Sequence, residues 1–426
     1  MSSPKLVRHT SLPGAVLLGL GAIVGTGAYV SIALATEMAG SWVLFAILIA
    51  ALVAACNGLS SAQLAAVHPV SGGTYEYGYQ FLTPWAGFIA GWLFVAAKSA
   101  SAATAALAFG LYVLPALGLP LGLQIPLALL VLLALMILVN GGMRRSNTAN
   151  LVIVCSSIGA LLIFSLYAVL TADETQQANV LNYQVSIADS IGWREFLGSA
   201  ALLFVAYTGY GRIATMGEEV ANPRRTIPIA IAVTVVVTTL LYVLIGYALL
   251  HTSLYSAPQA VDDTQLALVA LADANWLRVV VLVGAAIALL GVILNLILGV
   301  SRVILAMGRR NDLPAHLAHL NAARTSAPNS VYAATGVMAV LALLGDVQLA
   351  WSFSAFTVLA YYSITNLAAL KVAPAQRFVP KWVSWLGLAS CVGLTFFIDG
   401  AVFAAGCAFI AVGLAWHQLR SKRHQA

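Results

Sequence analysis

Charge is what this 426-residue chain has least of: only 8% of its residues are Asp, Glu, Lys or Arg. Soluble domains carry roughly a quarter, and a surface facing water cannot be built from so few. Long polar stretches are scarce as well, which leaves no room for a separate water-soluble domain. The four cysteines, Cys56, Cys155, Cys391 and Cys407, fall in apolar runs without CxxC spacing. Buried free thiols are expected there, not disulfides or a metal site. There is no HExxH motif and no pair of carboxylates inside an apolar run. That excludes the usual intramembrane enzymes, so no catalytic residue, metal or cofactor is expected. A sensor would bring a soluble output domain, and none is visible.

What the chain does have is apolar sequence, 61% of its residues. Crossing ~30 Å of hydrocarbon takes ~20 mostly apolar residues, and such stretches recur from end to end. The pattern predicts an all-α membrane protein of about twelve transmembrane helices. Helices 1 to 5 are expected at 14–35, 41–67, 84–114, 124–140 and 149–171. Helices 6 to 10 are expected at 195–217, 227–250, 277–307, 330–349 and 352–372, and helices 11 and 12 at 382–398 and 400–417. Lys5 and Arg8 precede the first run, and Ala33-Leu34-Ala35 resembles a signal-peptidase site. The run is too long for a signal core and glycine-rich at its centre, so it reads as a retained first helix.

The net charge of +6 sits in short loops between helices, which is how membrane topology distributes bases and not how a nucleic-acid surface is built. Fifteen lysines and arginines, from Lys5 to Arg423, fall on one face, against Arg194 and Arg278 on the other. The second face instead collects Asp173, Glu174, Asp189, Glu195, Asp262, Asp263 and Asp273. Lysine and arginine resist translocation, so both termini are expected in the cytoplasm, in a multi-pass protein of the cytoplasmic membrane.

Two helices look interrupted. Helix 1 carries Gly19, Gly21, Gly25 and Gly27, and helix 6 carries Gly209 and Gly211 around Tyr207, Thr208 and Tyr210. Each glycine weakens a helix interior by ~1 kcal/mol. Close packing of the GxxxG kind would also use Gly21 and Gly25. The two helices are five apart, however. Corresponding glycine-broken helices in two halves point to an inverted-repeat transporter site. Repeats at 14–171 and 195–372, followed by an extra pair at 382–417, account for the chain as one transporter domain.

At these residues the chain resembles the amino acid–polyamine–organocation superfamily of permeases. The resemblance rests on Gly21-Ala-Ile-Val-Gly25-Thr-Gly27 in helix 1 and on Pro69-Val-Ser71-Gly72-Gly73-Thr-Tyr75 after helix 2. It also rests on Glu218-Glu219-Val220-Ala-Asn222-Pro223 with Arg225 and Ile227-Pro228 after helix 6, and on Ser301-Arg302 through Asp312-Leu-Pro314 at the end of helix 8. It covers nearly the whole chain and implies the leucine-transporter fold, with five plus five helices in inverted repeat and two more. It implies an amino acid permease working by alternating access. The substrate carboxylate is then expected at Val24, Gly25, Thr26 and Gly27, where a half-helix begins and presents free N–H groups. The ammonium is expected on carbonyls near Ile23, Phe204, Ala206 and Tyr207, with Thr208 and Gly209 completing the site and Phe204 or Tyr207 as an aromatic lid. Glu218 and Glu219 could pair with a gate arginine such as Arg302, or simply cap helix 6. A catalytic role for Ser71 or His68 has no supporting triad.

The chain departs from that pattern in its charges. Proton-coupled relatives carry a lysine in helix 5 and a glutamate in helix 3, aligned near Ser156 or Ser157 and near Ala97. Here the intramembrane cations are Lys98 on helix 3 and Arg212 on helix 6. Each costs at least ~3 kcal/mol at mid-bilayer unless paired or hydrated, so both are coupling or gating candidates, with Asn295 of helix 8 as a polar partner. Polyamine sites want acidic residues, and Lys98 would repel a polycation. A neutral or acidic amino acid is therefore expected, with an amine or polyamine substrate, or export or exchange, as the alternatives. H⁺ or Na⁺ coupling and oligomeric state are left open.

Overall fold

A computed structural model describes residues 11–70, 72–141, 147–171, 192–214, 220, 222–250, 275–321 and 327–425. Every element among them longer than a turn is helical. Eight helical stretches are long and apolar enough to cross a bilayer unaided. One of them, Leu12–Val67, holds both helix 1 and helix 2. Helices 6, 9 and 11 fall below that length for physical reasons. Helix 6 is interrupted, while Pro328–Ala342 and Lys381–Thr395 are 15 residues each. At 1.5 Å per residue these two reach only about 22 Å.

Helix 1 comprises Leu12–Ile23, a π-helical turn at Gly27–Ser31 and Ile32–Ala39. Helices 2 to 5 are Val43–Val67, Pro84–Ala116, Gln124–Asn140 and Asn147–Leu170. Helix 6 runs Trp193–Tyr207, tightens to a 3₁₀ turn at Thr208–Tyr210 and resumes at Gly211–Ala214. Helices 7, 8 and 10 are Pro223–Leu250, Asn275–Arg309 and Val347–Leu370, and helix 12 is Gly400–Gln425. Between helices 2 and 3 lies a short helix, Thr74–Phe81, which the hydropathy pattern missed because it is too polar and short to span. The Gly72-Gly73 pair turns the chain into it with φ of +131° and +56°, values that side-chain-bearing residues rarely adopt.

The break between helices 9 and 10 falls several residues earlier than hydropathy alone places it. Gly345 takes φ +72°, and the Asp346 carboxylate accepts from the Leu349 N–H at 2.9 Å. A left-handed glycine followed by an N-cap ends one helix and starts the next whatever the apolar run does. Asp399 does the same for helix 12, accepting from Ala401 N–H at 2.8 Å, as the Asp399-Gly400 turn implies. Helix 12 then continues well past 417.

The outer surface is what lipid requires. Leu48, Leu52, Leu130, Leu133, Val236, Leu240 and Val340 are exposed apolar side chains. Exposed tryptophans mark helix ends: Trp85, Trp382 and Trp385 at one level, and Trp42, Trp193 and Trp276 at the other. Amphipathic rings of this kind settle at the interface. Inside, helix 3 packs against helices 8, 9 and 10, and helix 1 packs against helices 6, 7 and 8. Helices 2, 10 and 11 are tied together by polar bonds. Asn366 Nδ2 donates to Asn57 Oδ1 at 2.7 Å, the Cys391 thiol donates to the same oxygen at 3.3 Å, and Ser60 and Ser384 hydroxyls meet at 3.0 Å.

Interhelical bonds of this type are worth ~1 kcal/mol in a bilayer. Asn366→Ala is expected to lower stability by about that amount, read as a drop of a few degrees in the thermal midpoint of the detergent-solubilised protein. An unchanged midpoint would mean that the bond adds nothing to the apolar packing between helices 2 and 10.

Candidate functional site

The two interruptions lie against each other in the middle of the bundle. In helix 1 the α-helix ends at Ile23, and Val24 and Gly25 form a turn. A π-helical turn follows, so the expected unwinding is a register change and not an extended stretch. Such a bulge still releases backbone groups from the helical ladder. A methyl group at Gly25 would lie 2.2 Å from Val292 Cγ2 and 2.9 Å from the Ala288 carbonyl of helix 8. One at Gly27 would lie 2.0 Å from the Tyr242 hydroxyl and 3.0 Å from Ala206 Cβ. These two glycines are therefore required by close approach. In helix 6, the α-carbon of Gly209 faces the backbone of Ala22, where a methyl group would come within 2.7 Å of the carbonyl carbon.

Freed carbonyls now have identifiable partners. The Tyr242 hydroxyl of helix 7 lies 3.2 Å from the Ile23 carbonyl oxygen and 3.3 Å from that of Ala206. The breaks of both helices thus meet at one atom. Tyr242 was not singled out by sequence, because a tyrosine in an apolar helix carries no signal until its neighbours are known. Its ring stands edge-on to Tyr207, with centroids 5.1 Å apart. Phe204 stands edge-on to Tyr362 of helix 10 at 5.6 Å. Thr26 has a buried hydroxyl without a partner among the described residues.

Lys98 does not reach for the interface. It is 9% exposed, and its ammonium donates to Thr208 Oγ1 at 2.9 Å, at the start of the helix 6 break. The Thr208 hydroxyl in turn donates to the Val205 carbonyl at 2.7 Å. No carboxylate among the described residues pairs with this lysine. Asn295 Nδ2 points to the Gly21 carbonyl at a long 3.5 Å. Arg212 is half-buried on the resumed turn of helix 6, and Arg302 is exposed on helix 8. Glu218, Glu219 and Ser71 lie outside the described residues, and the gate pairing with Arg302 lies outside them too. At the aligned positions of the absent charges, the Ser156 and Ser157 hydroxyls both donate to the Ile153 carbonyl, and the Ala97 carbonyl accepts from Ser354.

The site residues are closed off from solvent: Ile23, Val24, Thr26, Phe204, Ala206, Tyr207 and Thr208 are each 3% exposed or less. A polar cluster closes the face on which helices 2, 8 and 12 end. Tyr75 and Tyr79 donate to Asp312 Oδ2 at 2.7 and 2.6 Å. Burial, and then the Asp312 carboxylate, push the Tyr75 phenol well above its usual range, so it stays a donor. Arg310 pairs with Glu76 and lies 4.4 Å over the Tyr79 ring. Trp416 of helix 12 donates to the Asp312 carbonyl at 2.9 Å. A small cavity lined by Thr74, Tyr77, Phe94, Gly211, Tyr361 and Tyr362 lies between this cluster and the helix 6 break.

The packing at Gly25 generates a direct test. Gly25→Ala is expected to destabilise the fold by about 1–3 kcal/mol through overpacking against helix 8. Adding Val292→Ala should recover part of the loss, since it removes the nearer obstruction and leaves the Ala288 carbonyl. Thermal midpoints of the two single variants and the double variant would check this; strict additivity would refute the contact.

A buried meeting point of two interrupted helices, within a bundle made for lipid, is the geometry of a membrane carrier, and comparison with known proteins agrees. The chain is 38% identical to an uncharacterised transporter of Mycobacterium tuberculosis over 98% of its own length and 92% of the other's. It is 25% identical to the branched-chain amino acid permease of Bacillus subtilis, covering 97% and 89%. It is 26% identical to a mitochondrial cationic amino acid transporter of Arabidopsis thaliana, covering 88% of this chain and 63% of that one. The family model for amino acid permeases matches residues 14–421. The chain is thus a transporter, not an enzyme, and belongs to the amino acid permease family.

Proposed function

We propose that the protein is a secondary active permease for a neutral or acidic amino acid, working by alternating access about the paired breaks of helices 1 and 6. The observation that carries this reading is the convergence of the Ile23 and Ala206 carbonyls on one buried point. Two backbone acceptors so placed suit an α-ammonium group. The helix that restarts after Gly25 carries the positive end of its dipole and the Thr26 hydroxyl, unpartnered among the described residues, which suits the α-carboxylate. Phe204 or Tyr207 forms the lid, with Gly27 and Gly209 giving the backbone its close approach. Helices 1 to 5 and 6 to 10 act as the two inverted halves, and helices 11 and 12 flank them. The chain ends lie in the cytoplasm, and the cluster around Asp312 is the inner closure.

Lys98 favours this substrate class over the cationic one carried by the Arabidopsis relative. A buried cation at the helix 6 break repels a second cation, and nothing among the described residues neutralises it. The name of the Bacillus relative supports a neutral side chain. Lys98 also serves coupling. If it titrates, it carries the proton of the cycle; if it stays charged, it stands where a sodium ion would, and transport is sodium-independent.

Uptake into proteoliposomes of a panel of labelled amino acids, with and without a pH or sodium gradient, tests the reading. Neutral or acidic amino acids are expected to accumulate, and arginine, lysine and putrescine are not. Accumulation of the cations alone would overturn it. Lys98→Met should reduce concentrative uptake at least tenfold. Lys98→Arg should not restore a proton-driven cycle, because arginine keeps its proton. Wild-type accumulation by Lys98→Met would place coupling elsewhere.

A further inference from the structure

The atom at which the two breaks meet is itself a clue. Both distances from the Tyr242 hydroxyl, 3.2 and 3.3 Å, are long for an O–H···O bond, which is commonly ~2.7–2.8 Å. A phenol has one proton to give. Faced with two carbonyl acceptors, it serves one of them or shares itself poorly between both. A primary ammonium brings three N–H donors and a full charge, so it can serve both at once with shorter, stronger bonds. The acceptor pair is thus underserved by its present occupant and matched by an amine. The surroundings fit. The hydroxyl sits against the bare α-carbon of Gly27, where a methyl group would come within 2.0 Å of it. It stands within reach of both interrupted helices.

We infer that the Tyr242 hydroxyl is a built-in stand-in for the substrate's ammonium group. In the empty carrier it ties helix 1 to helix 6 and keeps their freed carbonyls from being orphaned. An arriving primary amine takes over both carbonyls and displaces it. Tyr242 is then a specificity-determining residue: a ligand without an amine can remove the hydroxyl only by leaving two buried acceptors unserved. This rests on the amino-acid reading above and adds to it how the empty site is held.

A purely structural tyrosine makes the opposite prediction for ligand binding, so Tyr242→Phe separates the two. The full chain in lipid nanodiscs is compared with the variant in two measurements. The first is hydrogen–deuterium exchange without ligand over residues 20–29 and 203–211. The variant is expected to exchange several-fold faster at both breaks, and equal exchange overturns the inference. The second is equilibrium binding of each of the twenty L-amino acids offered singly. Those that bind the wild type are expected to bind the variant about two- to tenfold more tightly, the net worth of one hydrogen bond no longer in competition. Equal or weaker binding overturns displacement and returns Tyr242 to a structural role. If neither protein binds any amino acid, the amino-acid reading falls, and displacement by an amine falls with it, whatever the exchange shows. Should the variant fail to fold, 3-fluorotyrosine incorporated at Tyr242 keeps the hydroxyl and reports directly. Its fluorine resonance should shift on adding a bound amino acid and stay in place with the corresponding des-amino acid; no shift with the amino acid overturns the inference.

Discussion

Inside a bilayer every backbone carbonyl and N–H must find a partner within the protein, because each orphan costs several kcal/mol. An unbroken helix meets this demand alone; an interrupted one cannot. Helices 1 and 6 are interrupted side by side, and three other helices lend side chains to the result. Helix 7 offers Tyr242 to the Ile23 and Ala206 carbonyls, and helix 8 offers Asn295 to the Gly21 carbonyl. Helix 3 offers Lys98 to Thr208. The site therefore exists only as a property of the assembled bundle.

The bundle reaches that closeness through small residues. Lipid tails are as apolar as leucine, so helices in a membrane associate by packing and hydrogen bonds more than by hydrophobic burial. Helix 3 is built accordingly, with Ala97, Ala100, Ala102, Ala103, Ala105 and Ala106 fully buried. The Ser354 hydroxyl of helix 10 reaches the Ala97 carbonyl at 3.0 Å and meets the Ser101 hydroxyl at 2.8 Å. Such close contact leaves no route for Lys98 to bend outward, which is why its ammonium ends at the helix 6 break.

The closure on the face where helix 12 ends has a different character. It is made of charge and aromatic rings: Asp312 held by two phenols, and Arg310 shared between Glu76 and Tyr79. Arg310, the most exposed member, can exchange its bonds for hydration at small cost, whereas Tyr75 and Asp312 are buried. The Gly72-Gly73 turn aims Tyr75 and Tyr79 at Asp312, so a backbone feature of the loop sets the geometry of the closure.

By itself, the sequence determined the solvent, the class of fold and the places of the two breaks. Scarce charge and long apolar runs demand lipid, and clustered glycines can interrupt a membrane helix only where the freed groups are sheltered. Helices 1 to 5, 7 and 8 could be placed closely because each apolar run ends in polar or glycine-rich sequence. The boundary between helices 9 and 10 was misplaced because hydropathy runs on through Gly345 and Asp346, while the actual stop is a capping bond. The family motif of helix 1 located Gly25 and Gly27, the glycine cluster of helix 6 located Gly209, and Lys98 stood out by its cost in lipid. Only the tertiary structure decided what those residues touch. That Tyr242 faces Ile23 and Ala206, or that Lys98 ends on Thr208, depends on how four helices are rotated about their axes. A helix that is apolar all round carries no periodic stripe to record that rotation.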